Sequence, residues 1–129
     1  MNSSNNIIYF LNKARKASLN SQVPKTRIGA ILVKNGKVIS TGWNKLQNNR
    51  LYGTFSQWRE SIHAEVDCLL NAPYTQIPGS VLYVYREHKN GDLAMCRPCE
   101  YCMRFITHSK IKRIIYTTSD ISGFREEKI

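Results

Sequence analysis

A histidine with a glutamate two residues on, and two cysteines three residues apart, carry the chemistry most readily read from this chain: His63-Ala64-Glu65 and Pro98-Cys99-Glu100-Tyr101-Cys102. One imidazole and two thiolates can hold a zinc ion and leave its fourth tetrahedral position to water, whose pKa the metal lowers toward neutrality. A carboxylate not needed as a ligand can stand beside that water and move its proton to a leaving group, which a fourth protein ligand could not do. The spacing therefore predicts an open, catalytic zinc site with His63, Cys99 and Cys102 on the metal and Glu65 as proton carrier. Cys96 supplies a second reading, because Cys96, Cys99 and Cys102 form a C-x2-C-x2-C series. Four protein ligands, His63 and three thiolates, would close the site around a structural zinc. The chain would then be a basic nucleic-acid-binding module, with Glu65 only a helix-start acid.

These residues need elements to bring them together. Ile7, Phe10, Leu11, Ala14 and Ala17 fall at helical spacing over 7–17, with Ser3, Ser4 or Asn5 placed to cap the start. After Pro24, Ile28 to Val33 is apolar without alternation, the pattern of a central strand covered on both faces. Asn35-Gly36 predicts a two-residue hairpin turn, with Val38 to Asn44 returning as the second strand. Lys45 to Glu60 has no steady period and reads as a loop on the site's rim. Ile62, Val66, Leu69 and Leu70 mark a short helix ending near Pro73, so that His63 and Glu65 lie in its first turn. Ser80 to Tyr85 is the next strand, Cys99 to about Ser109 a helix opened by Pro98, and Ile111 to Thr118 the strand after it. Strand, helix and strand in that order favour parallel pairing, which makes the whole a three-layer α/β domain. Helices opening at His63 and Cys99 would aim two N-termini at one point, where their partial charge favours thiolates and anions. The polar tail from Ser119 to Ile129 has no clear element.

At 129 residues and 42% hydrophobic, residues 1–129 are expected to form a single domain around one core. No apolar run approaches the roughly 20 residues that cross a bilayer, and the start lacks the order of a signal peptide, so a cytoplasmic protein with no membrane partner is expected. Three of the four cysteines crowd into residues 96–102, which suits thiolate ligation in a reducing compartment better than disulfides. With 19 Lys and Arg against 9 Asp and Glu, the net charge is +10, a field that attracts phosphate without distinguishing a nucleotide from a polynucleotide. Arg50, Arg59, Arg97 and Arg104 are the candidate phosphate forks. If a single-stranded DNA or RNA is bound, Trp58 or Tyr52 is placed to stack on a base.

At its two zinc motifs the chain resembles the cytidine and deoxycytidylate deaminase superfamily, which includes the tRNA adenosine deaminases. Ile28 to Val33, Gly42-Trp43-Asn44, His63-Ala64-Glu65, Leu82-Tyr83-Val84 and Pro98 to Cys102 stand in the family's order. The resemblance implies a three-layer α-β-α domain with a central mixed sheet of four to five strands, Zn2+ as cofactor, and a homo-oligomer. It implies hydrolytic deamination at C4 of cytosine or C6 of adenine, with Glu65 shuttling the protons. It further implies that Asn44 contacts the sugar and that the backbone N–H of Ala64 holds the base edge. The run from His63 to Ala72 is more similar to deoxycytidylate deaminases, although Asp67 and Cys68 stand where those usually have Asn and Ala. Gly42-Trp43-Asn44 and His108-Ser109-Lys110-Ile111 are similar to segments of tRNA adenosine deaminases. The expected substrate is a cytosine nucleotide such as dCMP, the alternative a base in single-stranded DNA or RNA, tRNA included. The chain departs from the family between Val84 and Pro98, which is longer than usual and carries Arg86, Lys89 and Arg97. Asn90-Gly91 would turn this segment into a small hairpin with Leu93 and Met95 packed beneath, adding phosphate or strand contacts, while the short tail leaves a complete fifth strand open.

Overall fold

The apolar run after residue 27 becomes β1 (Ile28–Lys34), and its lack of alternation has a direct cause: Ala30 and Leu32 enter one core cluster while Ile31 and Val33 enter another. A strand's side chains point alternately to its two faces, so an uninterrupted apolar run means that both faces are covered. The computed structural model that shows this describes residues 3–21, 23, 26–46 and 61–129. Helix α1 (Ser3–Ser18) covers one face, burying Ile7, Leu11 and Ala14 against Ile31, Tyr83 and Ile115. Helices α2 (Ala64–Asn71) and α3 (Glu100–His108) cover the other, where Val66, Leu69, Cys102 and Ile106 meet Leu32, Leu82, Val84 and Ile114. The expected three-layer α-β-α arrangement is the one observed.

Five strands form the sheet, in the order β2 (Lys37–Trp43), β1, β5 (Val81–Arg86), β6 (Arg113–Thr117), β7 (Phe124–Lys128). β1 runs antiparallel to β2 and to β5, β5 and β6 are parallel across α3, and β7 returns antiparallel to β6. β1 is an interior strand as expected, but β5 holds the middle of the sheet. Asn35 and Gly36 turn from β1 to β2 with φ of 52° and 77°, the left-handed pair that a two-residue hairpin with right-handed twist requires. Phe124 to Lys128 of the tail form a fifth strand. It carries no apolar signature because side-chain pairs support its ladder: Arg113 with Glu126 at 2.7 Å, Arg97 with Glu127 at 2.7 Å, and the Tyr116 hydroxyl donating to Glu127 at 2.6 Å.

Two boundaries differ from those read in the sequence. Lys45–Leu46 (β3) and Ser61–Ile62 (β4) are not loop and helix but a short antiparallel ribbon, so Ile62 precedes α2. His63 and Cys99 are the N-caps of α2 and α3 rather than members of their first turns.

Gly42 lets α2 lie directly on β2. A Cβ there would collide with the Cys68 backbone nitrogen and stand 2.7 Å from Cys68 Cα and 2.8 Å from Ala64 O, all helix backbone with no side chain to rotate away. Gly42→Ala is therefore expected to cost about 1–3 kcal/mol by overpacking. A lowered thermal midpoint, with loss of activity exceeding the loss of folded protein, is the expected outcome; an unchanged midpoint would show that α2 rides free of the strand.

Candidate active site

β4 delivers the chain to His63, whose backbone is still extended (φ −71°, ψ 145°) while its carbonyl already accepts the Asp67 N–H at 3.0 Å. Cys99 has the same relation to α3, at φ −67° and ψ 169°, with its carbonyl accepting Met103 N–H at 2.8 Å. Two helix N-termini thus carry His63 and Cys99 at their caps, with Glu65 and Cys102 just inside. The donor atoms of His63, Cys99 and Cys102 lie within 4.8 Å of one another. His63 Nδ1 stands 3.2 Å from Cys102 Sγ and 3.7 Å from Cys99 Sγ. Ligand atoms of a tetrahedral zinc with bonds of about 2.0 Å to nitrogen and 2.3 Å to sulfur are separated by roughly 3.5–3.8 Å, so the group fits that ion with little movement. Two soft thiolates with an imidazole also suit zinc rather than a hard, oxygen-seeking cation.

Cys96 does not join this group. Its thiol is buried, donates to the Val84 carbonyl at 3.3 Å and meets Thr117 Oγ1 at 3.1 Å. Burial pushes it up to about 12, so it stays a protonated thiol at neutral pH. Among the described residues the ligand cluster is His63, Cys99 and Cys102, without the fourth thiolate that a closed site needs.

Glu65 is 5% exposed, and burial raises its carboxyl above the ordinary glutamate value despite hydrogen bonds from its own backbone and from Cys102. A carboxyl held in this way carries a proton closer to neutral pH than an exposed one does. Ala64, beside it, is fully buried in the first turn, where a helix's backbone N–H groups have no intrahelical acceptor. Asp67, which the motif reading left without a role, anchors this turn. Its fully buried carboxylate accepts the Trp43 N–H at 3.2 Å and pairs with Lys45 Nζ at 3.0 Å, tying α2 to the end of β2. An acid four residues after a helix cap, aligned with a lysine just past the preceding hairpin, was the available signal.

His63, Glu65 and Cys99 open onto a cavity of about 380 Å³ that Asn44, Arg86, Met95, Cys96 and Arg97 also line, together with Val23, Thr26 and Ile28. Asn44 is buried: its Oδ1 accepts the Ile28 N–H at 2.9 Å and its Nδ2 donates to Thr26 O at 2.5 Å. These bonds use one donor and one acceptor of the four an amide offers. The Arg86–Arg97 segment turns back as the sequence predicts, through His88 N–H to Asp92 O at 2.8 Å and a Glu87–Leu93 bridge. Ala94, rather than Met95, is its inward residue, because Ala94 N–H bonds to Arg86 O at 3.0 Å and alternation then turns Met95 outward. Leu93 packs on the α1 side of the core, as expected for a residue beneath the turn.

The arginine candidates separate. Arg97 lines the cavity with its fork bound bidentately to Glu127, at 2.7 and 3.1 Å. Arg104 forms an exposed pair with Glu100 at 2.8 Å, away from the cavity lining. Arg50, Tyr52, Trp58 and Arg59 lie outside the described residues. The Arg97 fork and the Tyr116 hydroxyl hold Glu127 below its ordinary 4.5. A depressed carboxylate contributes stability above its unfolded pKa and loses it as pH falls through the folded value. The thermal midpoint of wild type should therefore exceed that of Glu127→Gln at pH 7, with the gap closing below about pH 4.5. A gap that persists at pH 2.5 would assign the difference to packing.

Three comparisons with known proteins bear on this geometry. The family model described as the cytidine and deoxycytidylate deaminase zinc-binding region matches residues 4–118. A deoxycytidylate deaminase of Mycobacterium phage D29 is 29% identical over 126 residues, covering 84% of this chain and 91% of the phage protein. A tRNA-specific adenosine deaminase of Buchnera aphidicola is 34% identical over 109 residues, covering 84% of this chain and 61% of that protein. The chain thus spans nearly all of the phage relative but about three fifths of the tRNA enzyme. In fold it is similar to a cytidine deaminase from Burkholderia pseudomallei (TM-score 0.65, 21% identity, 99% of this chain and 93% of that one). It is also similar to a dCMP deaminase from cyanophage S-TIM5 (TM-score 0.62, 21% identity, 92% and 86%).

Proposed function

The chain belongs to the cytidine and deoxycytidylate deaminase family, a family of hydrolytic, zinc-binding deaminases, and from that premise we propose that its substrate is a free cytosine nucleotide of the dCMP type. The observation that carries this reading is the cavity. It gathers His63, Glu65 and Cys99 with two guanidinium side chains, and its wall is built in part by the chain's own Arg86–Arg97 segment. About 380 Å³ lies in the range of small-molecule sites, which run from about 300 to 1,000 Å³. The near end-to-end match with the phage deoxycytidylate deaminase supports the same reading.

In this proposal His63 Nδ1 and the thiolates of Cys99 and Cys102 hold the zinc. When bound there, the metal supplies a Lewis acid that makes water a competent nucleophile near neutral pH. Glu65 takes a proton from the attacking water and returns protons to the ring nitrogen and the departing amine, so that ammonia leaves C4 and a carbonyl remains. The backbone N–H of Ala64 holds the base edge, and the free donor and acceptor of Asn44 face a sugar hydroxyl. Arg97 spends its Nε and Nη2 donors on Glu127, so phosphate would meet its remaining Nη1 donors or take the place of Glu127.

Ammonia release measured in parallel on cytidine, dCMP, dCTP, single-stranded DNA and tRNA, with Glu65→Ala as the blank, tests the proposal. The highest kcat/KM is expected for dCMP. Turnover confined to adenosine in tRNA, or to cytosine in a polynucleotide with affinity falling steeply in salt, would replace the free nucleotide by a strand.

A further inference from the structure

Of the two guanidinium groups that the described residues place on the cavity wall, Arg97 is occupied by a carboxylate and Arg86 is not. Arg86 ends β5, the middle strand, and is half-buried. One of its terminal nitrogens reaches the Met95 carbonyl at 3.5 Å, the long limit of a hydrogen bond, and among the described residues no Asp or Glu pairs with it. A guanidinium has five N–H donors and cannot be deprotonated at neutral pH, so Arg86 keeps most of its donors and a full positive charge beside Met95 on the wall of a cavity that also presents His63, Glu65 and Cys99. A partly desolvated cation without a counter-ion among the described residues is an unmet electrostatic demand, and a phosphate oxygen pair fits the guanidinium fork.

Its backbone is also held in place. Arg86 N–H donates to Thr117 Oγ1 at 3.2 Å, Arg86 O accepts Ala94 N–H at 3.0 Å, and the Thr117 hydroxyl donates to Ala94 O at 2.8 Å. Thr117 is fully buried at the end of the parallel neighbour strand β6, so the lengthened segment springs from a fixed point with Arg86 at its root.

We infer that Arg86 is the phosphate-recognising residue of this cavity, the group that makes the enzyme prefer a nucleotide to its nucleoside. The inference rests on the reading of the substrate as a free cytosine nucleotide. A phosphate stands away from the reacting C4 and carries the same charge in ground and transition states, so its contact lowers KM and leaves kcat largely alone.

The test compares dCMP with deoxycytidine in wild type, Arg86→Gln, Arg86→Lys and Arg104→Gln, alongside equilibrium binding of 2-deoxyribose 5-phosphate, which has no base to deaminate. In Arg86→Gln the kcat/KM preference for dCMP over deoxycytidine is expected to fall about 10- to 100-fold through KM, the span of a charge-assisted hydrogen bond. Arg86→Lys should recover part of the preference, since an ammonium keeps the charge and loses the fork. Arg104→Gln removes the same charge from the surface and should keep the wild-type ratio. Sugar-phosphate binding should disappear in Arg86→Gln with the thermal midpoint retained. A preference unchanged in Arg86→Gln, or reduced equally in Arg104→Gln, overturns the inference while leaving the dCMP reading intact. Sugar-phosphate binding that depends on Arg86, in a protein that turns over no cytosine compound, overturns the dCMP reading and leaves the phosphate site standing.

Discussion

Glu65→Ala is expected to bind one zinc per chain and to release ammonia from dCMP about two to four orders of magnitude more slowly than wild type, the range that general acid–base catalysis contributes. The metal should stay because the ligand atoms belong to His63, Cys99 and Cys102, which the substitution leaves in place. Turnover should fall because nothing else in the described lining of the cavity can both take and return a proton beside the metal group: Asn44 is an amide, Arg86 and Arg97 remain cationic, and Cys96 is held protonated by burial. Stability should change little, since burial already disfavours the Glu65 carboxylate. Glu65→Gln is the isosteric companion, keeping the volume and removing only the transferable proton. Zinc content by elemental analysis and single-turnover rates separate the outcomes. A variant that keeps both metal and full activity would strip Glu65 of its role as proton carrier.

Cys102→Ala and Cys96→Ala should behave as opposites, although both residues are buried in the same core cluster. Cys102 Sγ lies 3.2 Å from His63 Nδ1, so its removal takes away one of three ligand atoms and, with it, zinc and activity together. Because a metal that binds only the folded state stabilises it by mass action, the thermal midpoint of Cys102→Ala should no longer respond to added zinc. Cys96→Ala removes hydrogen bonds to Val84 O and Thr117 Oγ1, worth about 1 kcal/mol, and should keep both zinc and turnover. Loss of zinc from Cys96→Ala would restore the four-ligand, closed centre and exclude the open one.

Much of this molecule is legible along the chain because its signals are local. A histidine and a glutamate two apart, and two cysteines three apart, fix their relative placement within one helical turn, and a helix needs no distant partner to set that spacing. The two-sided burial of Ile28 to Val33 and the Asn35-Gly36 turn are similarly written in consecutive residues. Where consecutive residues carry no such signal, an element shows itself only in three dimensions. β7 is held by its ladder and by charged side chains, so its sequence looks like a polar tail until β6 lies beside it. β3 and β4 contribute two residues each, too few for any periodicity to appear.

The candidate ligand types and the candidate proton carrier are therefore legible in the sequence alone, because zinc chemistry depends on which atoms are offered and at what local spacing. The tertiary structure decided which of the candidates meet. It brought Cys99 and Cys102 to His63 while turning Cys96 inward onto Thr117, and it gave Arg97 to Glu127 and left Arg86 on the cavity wall. It also set Asp67 against Trp43 and Lys45 to anchor the helix that carries Glu65. Each of these pairings joins residues more than 20 positions apart. Their geometry comes from strand register and the closure of helices on a sheet, which no window of neighbouring residues contains.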